Sequence, residues 1–243
     1  MLDLIGTVLL PALAVFVIAM LVPAREGHGV TRRRLTVGLS AWFVIAATLS
    51  LAGAFASPAL PVGVALAIAV FAPVLAAAVI VARTQSHGIP LTALVVVHIG
   101  RVLGAAFLML YAAGRLPYTF AHSAGWGDIA TGLLAIPVLW AVQHRATGWR
   151  WMTAAWNVLG MADLLAAVAL GVGSAPGSMI RFNFEAPGSG AIAVFPWVLI
   201  PAFFVPLFLL THIGVFAALA ASVRQPDAAP RPRPDEPLRQ PAR

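Results

Sequence analysis

The stretch PLTALVVVHIGRVLGAAFLMLYAA, residues 90–113, is apolar over a length that suits one bilayer crossing, yet it carries His98 and Arg101 in its middle. At 1.5 Å of rise per residue, such a helix covers the roughly 30 Å of hydrocarbon in a membrane. The pattern recurs at 2–22 and at about 36–57, 62–82, 128–143, 151–172 and 193–222. With 61% hydrophobic and 9% charged residues, against roughly 25% charge in soluble domains, the chain is excluded from the ordinary soluble class. The expected fold class is all-α, an integral membrane bundle of seven transmembrane helices over residues 1–222.

The breaks between spans carry turn chemistry: Ser57-Pro58 with Pro61, His87-Gly88 with Pro90, Gly125-Trp126-Gly127-Asp128, and a Gly/Pro/Ser-rich stretch from Gly173 to Gly190. The first run has Asp3 where a secretory signal would have basic residues, so it reads as a retained helix. Assigning loops alternately to two sides gathers Arg25, Arg32, Arg33, Arg34, Arg83, Arg145, Arg150 and the tail arginines on one side, with Arg115 and Arg181 opposite. Basic loops stay on the cytoplasmic side, which puts the N-terminus outside and the C-terminus inside. Residues 223–243 mix six prolines with Arg, Asp and Glu and read as a disordered Pro/Arg-rich cytoplasmic tail.

All fifteen basic residues are Arg and there is no Lys. Schiff-base chemistry, retinal or pyridoxal, needs a lysine amine and is excluded. The absence of Cys removes disulfides, thiolate metal sites, iron–sulfur clusters and thioether or thioester lipid anchors. The net charge of +7 resides in short loops and the tail, as membrane orientation requires, so nucleic acid is not an expected partner. The expected partners are the lipid bilayer and a small polar or anionic ligand.

Each polar group at bilayer depth needs a partner or a function, because a central charge costs about 2.5–3.5 kcal/mol on insertion scales. His98 and Arg101 share a face of the fourth span; Asn157 and Asp163 lie on the sixth and His212 on the seventh. Counting from the inner boundaries, Arg101 lies about 17 Å deep and Asp163 about 18 Å, while His98 and His212 lie at about 12 and 15 Å. The spacing predicts an Arg101–Asp163 pair, either a pin between helices or the lining of a ligand or ion cavity formed with His98, Asn157 and His212. His98 and His212 have three readings: helix-to-helix hydrogen bonding, axial ligation of one haem, or a zinc site with Asp163. With only two deep histidines and a permanent cation beside one of them, no cofactor and no metal is expected. Gly100 and Gly104 form a GxxxG pair that admits a neighbouring backbone. Pro196, Pro201 and Pro206 mark the seventh span as bent. The segment from Arg115 to Asp128 is expected to be an outer loop, with Trp126 and Asp128 in an interfacial lid and Asp128 as an N-cap.

The run Gly100-Arg101 with Gly104, Phe107-Leu108, Leu116-Pro117, Phe120-Ala121, Ala124-Gly125-Trp126-Gly127-Asp128, Trp156-Asn157, Gly160, Asp163-Leu164, Leu199-Ile200-Pro201, Pro206 and His212 resembles a group of uncharacterised bacterial polytopic membrane proteins of about seven helices. The resemblance spans roughly residues 95–215. It implies a multi-pass protein of the bacterial inner membrane and no particular activity. Three functions are therefore open: a small-molecule or ion transporter or ligand-responsive receptor built around the polar cavity, a redox or metal protein using the histidines, and a structural or assembly subunit.

Overall fold

The computed structural model of the protein describes residues 1–22, 29–56, 68–76 and 89–224. Among these residues there is no β-strand, and six helices are long and apolar enough to cross a membrane. The helices are α1 (Leu2–Leu21), α2 (Gly29–Leu51), α3 (described over 68–76), α4 (Leu91–Ala112), α5 (Tyr118–His144), α6 (Trp149–Gly173) and α7 (Val205–Arg224). Most of the span expected at 62–82, and the tail after 224, lie outside the described residues.

Two sequence expectations are corrected. Residues 118–127 are not an outer loop, because α5 starts at Tyr118 with Pro117 before it and runs unbroken past Asp128. Glycines that would mark a turn in a soluble chain instead let helices touch here, and a helix keeps every backbone amide paired. Second, the last helix does not begin at 193. Pro196 sits in a turn, Pro201 opens a π-helical turn over Ile200–Phe204, and Pro206 falls in the first turn of α7, where a missing N–H is tolerated.

α7 with the turn that leads into it is the most deeply buried of the six spans, and α2 the least. Phe203 packs on Trp42 and Phe43 of α2 with ring centroids 5.0 and 5.1 Å apart. α5 lies along both α4 and α6. Leu4, Val8 and Val15 of α1 and Val37, Val44 and Ile45 of α2 are turned outward, giving these helices apolar outer faces.

Polar clamps close both ends. Asp3 accepts hydrogen bonds from Arg115 Nη1 (2.6 Å) and Trp197 Nε1 (2.6 Å), tying the start of α1 to the α4–α5 turn and to the segment before α7. At the other end, Arg145 at φ 50° and Gly148 at φ 75° form the α5–α6 turn. Arg150 there donates to Ser222 O (3.0 Å) near the end of α7. On the Asp3 side, Glu185 accepts from Thr119 Oγ1 (2.5 Å) and from the Thr119 amide (2.9 Å), fastening the 174–199 segment to α5. These two donors hold the Glu185 carboxyl below its ordinary range.

Candidate functional site

α4 is not a uniform α-helix. Val97–Gly104 is wound as a 3-10 helix between two α-helical pieces, Leu91–Val96 and Ala105–Ala112. In a 3-10 helix residues i and i+3 eclipse, so His98, Arg101 and Gly104 stand in one column. All three are buried, and Arg101 is 2% exposed.

Arg101 holds four helices together. Its Nε donates to Asp128 Oδ1 on α5 (2.6 Å), and its Nη2 donates to Asp163 Oδ2 on α6. Its Nη1 donates to the Gly160 carbonyl on α6 (3.0 Å) and to His212 Nε2 on α7 (3.2 Å). A guanidinium only donates, so Nε2 of His212 is the acceptor and the ring proton sits on Nδ1. That proton goes to Asn157 Oδ1 (2.7 Å), and Asn157 Nδ2 returns to the His212 carbonyl (3.0 Å). His212 is thus held as a neutral imidazole of one tautomer by partners on two sides.

His98 forms a second layer. Its ring lies 4.1 Å from that of His212, centroid to centroid, and Trp156 and Phe208 pack on it at 5.2 Å each. Thr211 gives its hydroxyl proton to Phe208 O (2.9 Å), so it accepts from His98 Nε2 (3.0 Å). Nδ1 of His98 has no hydrogen-bond partner among the described residues. The two imidazoles are in van der Waals contact, which leaves no gap for an iron and the plane of a macrocycle. The geometry does not fit axial ligation of a haem shared between them. Among the described residues, no group of three or more His, Cys, Asp or Glu could hold a metal ion.

Glycine makes the close approach possible. A Cβ on Gly104 would overlap Asp128, one on Gly127 would overlap the Asp163 carboxylate, and one on Gly160 would stand 2.7 Å from His212 Cε1. Asp128, Asp163 and His212 therefore each stand over a glycine of a neighbouring helix. Gly100, the other half of the GxxxG pair, instead receives Leu13 of α1.

The structure brings together all five residues expected to share a site: His98, Arg101, Asn157, Asp163 and His212. It adds Asp128, which the sequence reading placed at a helix cap in an outer lid. Trp126, the other lid residue, is 58% exposed on the outer face of α5, while Asp128 turns inward to Arg101. Helical spacing through Phe120, Ala121, Ala124, Gly125 and Asp128 is the signal that could have found it, since the first four are buried. His98, Asn157 and His212 are 0% exposed, whereas the side chains of Asp128 and Asp163 keep 15% and 16% exposure. The carboxylates are the members of the cluster that reach the surface.

Residues 58–220, well over half of the chain, match the family model described as Domain of unknown function (DUF8737). No curated protein and no solved structure matches the chain.

Proposed function

We propose that this chain, which belongs to the DUF8737 family, is a multi-pass protein of the bacterial inner membrane whose Arg101 cluster is the exchange centre of a small-molecule or ion transporter. The observation that carries the reading is a charge count: one buried guanidinium meets two carboxylates, each still partly exposed. A pin between helices needs one carboxylate per guanidinium, and a surplus anion at mid-helix is expensive to retain in an apolar bundle unless it is used. The 3-10 segment beneath Arg101 and the π-turn at the start of the last span support the reading, since such departures from α-geometry mark hinges and functional sites.

Membrane insertion is supported by six helices of spanning length and by the apolar outer faces of α1 and α2. The N-terminus lies outside and the C-terminus inside, because Arg145 and Arg150 sit at the α5–α6 turn, opposite the end that holds Asp3 and Arg115. The bacterial assignment rests on the resemblance of residues 95–215. A ligand-responsive receptor would use the same centre without net flux.

Currents recorded from proteoliposomes on a solid-supported membrane test the transport reading, with rapid exchange of pH, sodium ion or small carboxylates as probes. At least one exchange is expected to give a transient current that is lost in Asp128→Asn and Asp163→Asn. Silence of the wild-type protein to all three would overturn it. A structural role is the second reading, favoured by the hydrogen bonds that Arg101 makes through all three of its nitrogens; it is the outcome that silence would select.

A further inference from the structure

We propose that Asp128 and Asp163 form a carboxyl–carboxylate dyad that binds one exchangeable proton on one edge of Arg101. The inference rests on the reading of the cluster as an exchange centre and names the ion.

The geometry behind it is the division of Arg101's donors. Nε and Nη2 lie along the same edge of the guanidinium with parallel N–H bonds, the fork that a single bidentate carboxylate fills with its two oxygens. Here one oxygen comes from Asp128 on α5 and the other from Asp163 on α6. Two carboxyl groups therefore stand side by side where one ordinarily stands. The opposite nitrogen, Nη1, is already committed to Gly160 O and His212 Nε2 and cannot turn to neutralise the second carboxylate.

Among the described residues, the other titratable or charged groups that face the dyad are Arg101 itself and His98 on α4, and His212 on α7. None of them supplies a second positive charge. His212 accepts from Arg101 through Nε2 and gives its Nδ1 proton to Asn157, so it has no free lone pair for another proton. His98 lies tilted against His212 with its Nε2 on Thr211, and among the described residues no hydrogen bond joins it to either carboxylate. With both Asp residues ionised the cluster holds one negative charge in excess. Like charges side by side in a buried site are relieved when the two groups share one proton.

Proton balance is simple. A proton arriving at a carboxylate oxygen that Arg101 does not hold forms one O–H bond, and the cluster passes from net −1 to neutral. Release breaks the same bond and restores the carboxylate. Arg101 keeps all its protons throughout, and the His212 tautomer does not change. The 15% and 16% exposure of the two side chains makes them, rather than the fully buried histidines, the members of the cluster open to exchange.

Infrared spectroscopy of the purified protein in its resting state tests the dyad, with no transport required. At neutral pH one protonated-carboxyl C=O band is expected that shifts in deuterium oxide and shifts again when the protein is grown with carbon-13-labelled aspartate. Removing either carboxylate leaves a one-to-one pair with Arg101 that needs no proton, so the band is expected to vanish in both Asp128→Asn and Asp163→Asn. The labelled wild-type spectrum stands by itself if a variant fails to fold. No aspartic C=O band in the wild-type protein, or a band surviving in either folded variant, would overturn the proposal. A band that behaves as expected, in a protein that passes no current, would overturn transport and leave the proton site in place.

Discussion

His212 shows how much one side chain's state depends on its neighbours. Arg101 on one side can only donate, and Asn157 on the other presents its oxygen to Nδ1 while its amide nitrogen is used by the His212 carbonyl. The expected nitrogen-15 spectrum of labelled histidine therefore contains one buried ring with a protonated Nδ1 and a bare Nε2. Asn157→Leu removes the acceptor of the Nδ1 proton and is expected to abolish that signature. A wild-type His212 protonated at Nε2 would contradict the hydrogen-bond assignment. At this scale the sequence was informative where polarity contrasts with its surroundings: His98, Arg101, Asn157, Asp163 and His212 stand out within apolar runs. Asp128 was hidden because Gly125 and Gly127 around it carry the composition of a turn, and composition cannot tell a turn from a helix whose neighbours press against it.

At the scale of elements, the helices meet through glycines whose partners are distant in sequence. Gly127 lies under Asp163, so Gly127→Ala is expected to push α5 and α6 apart, with a loss of about 1–3 kcal/mol from overpacking. Gly38→Ala in α2 meets nothing within 4 Å and replaces a poor helix former with a good one, so it is expected to be neutral or mildly stabilising. Thermal unfolding of the two variants side by side checks the contrast, and equal effects would remove the packing argument.

The 174–199 segment offers a second test at this scale. Because Thr119 depresses the Glu185 titration, the tether between that segment and α5 is present above the ordinary glutamate range and is lost as pH falls through the lowered value. The protection of the 181–185 amides, measured as exchange relative to the intrinsic rate at each pH, is expected to fall at acid pH in the wild-type protein and to be low and independent of pH in Glu185→Ala. Six of the seven expected spans meet helices of spanning length among the described residues, with α1, α4 and α6 expected to within a residue or two and α2, α5 and the last span displaced at one or both ends. The 3-10 and π segments were not legible in the sequence, because Val97–Gly104 and Ile200–Phe204 have compositions that suit an α-helix, and their winding is set by what they pack against.

For the whole molecule, Arg101 is the point where α4, α5, α6 and α7 are joined through side chains. A sequence reading limited to the Arg101–Asp163 pair expects that removing both residues restores a balanced interior. The structure changes that expectation, because the double variant still leaves the mostly enclosed Asp128 without its cation. The most direct measurement is a stability cycle on Arg101→Met alone, with Asp163→Ala, and with both Asp163→Ala and Asp128→Ala. The single change is expected to lose about 3–5 kcal/mol by stranding two carboxylates, the double to remain well below wild type, and the triple to recover most of the loss. Losses that simply add from single to triple would contradict a shared guanidinium and the four-helix junction built on it.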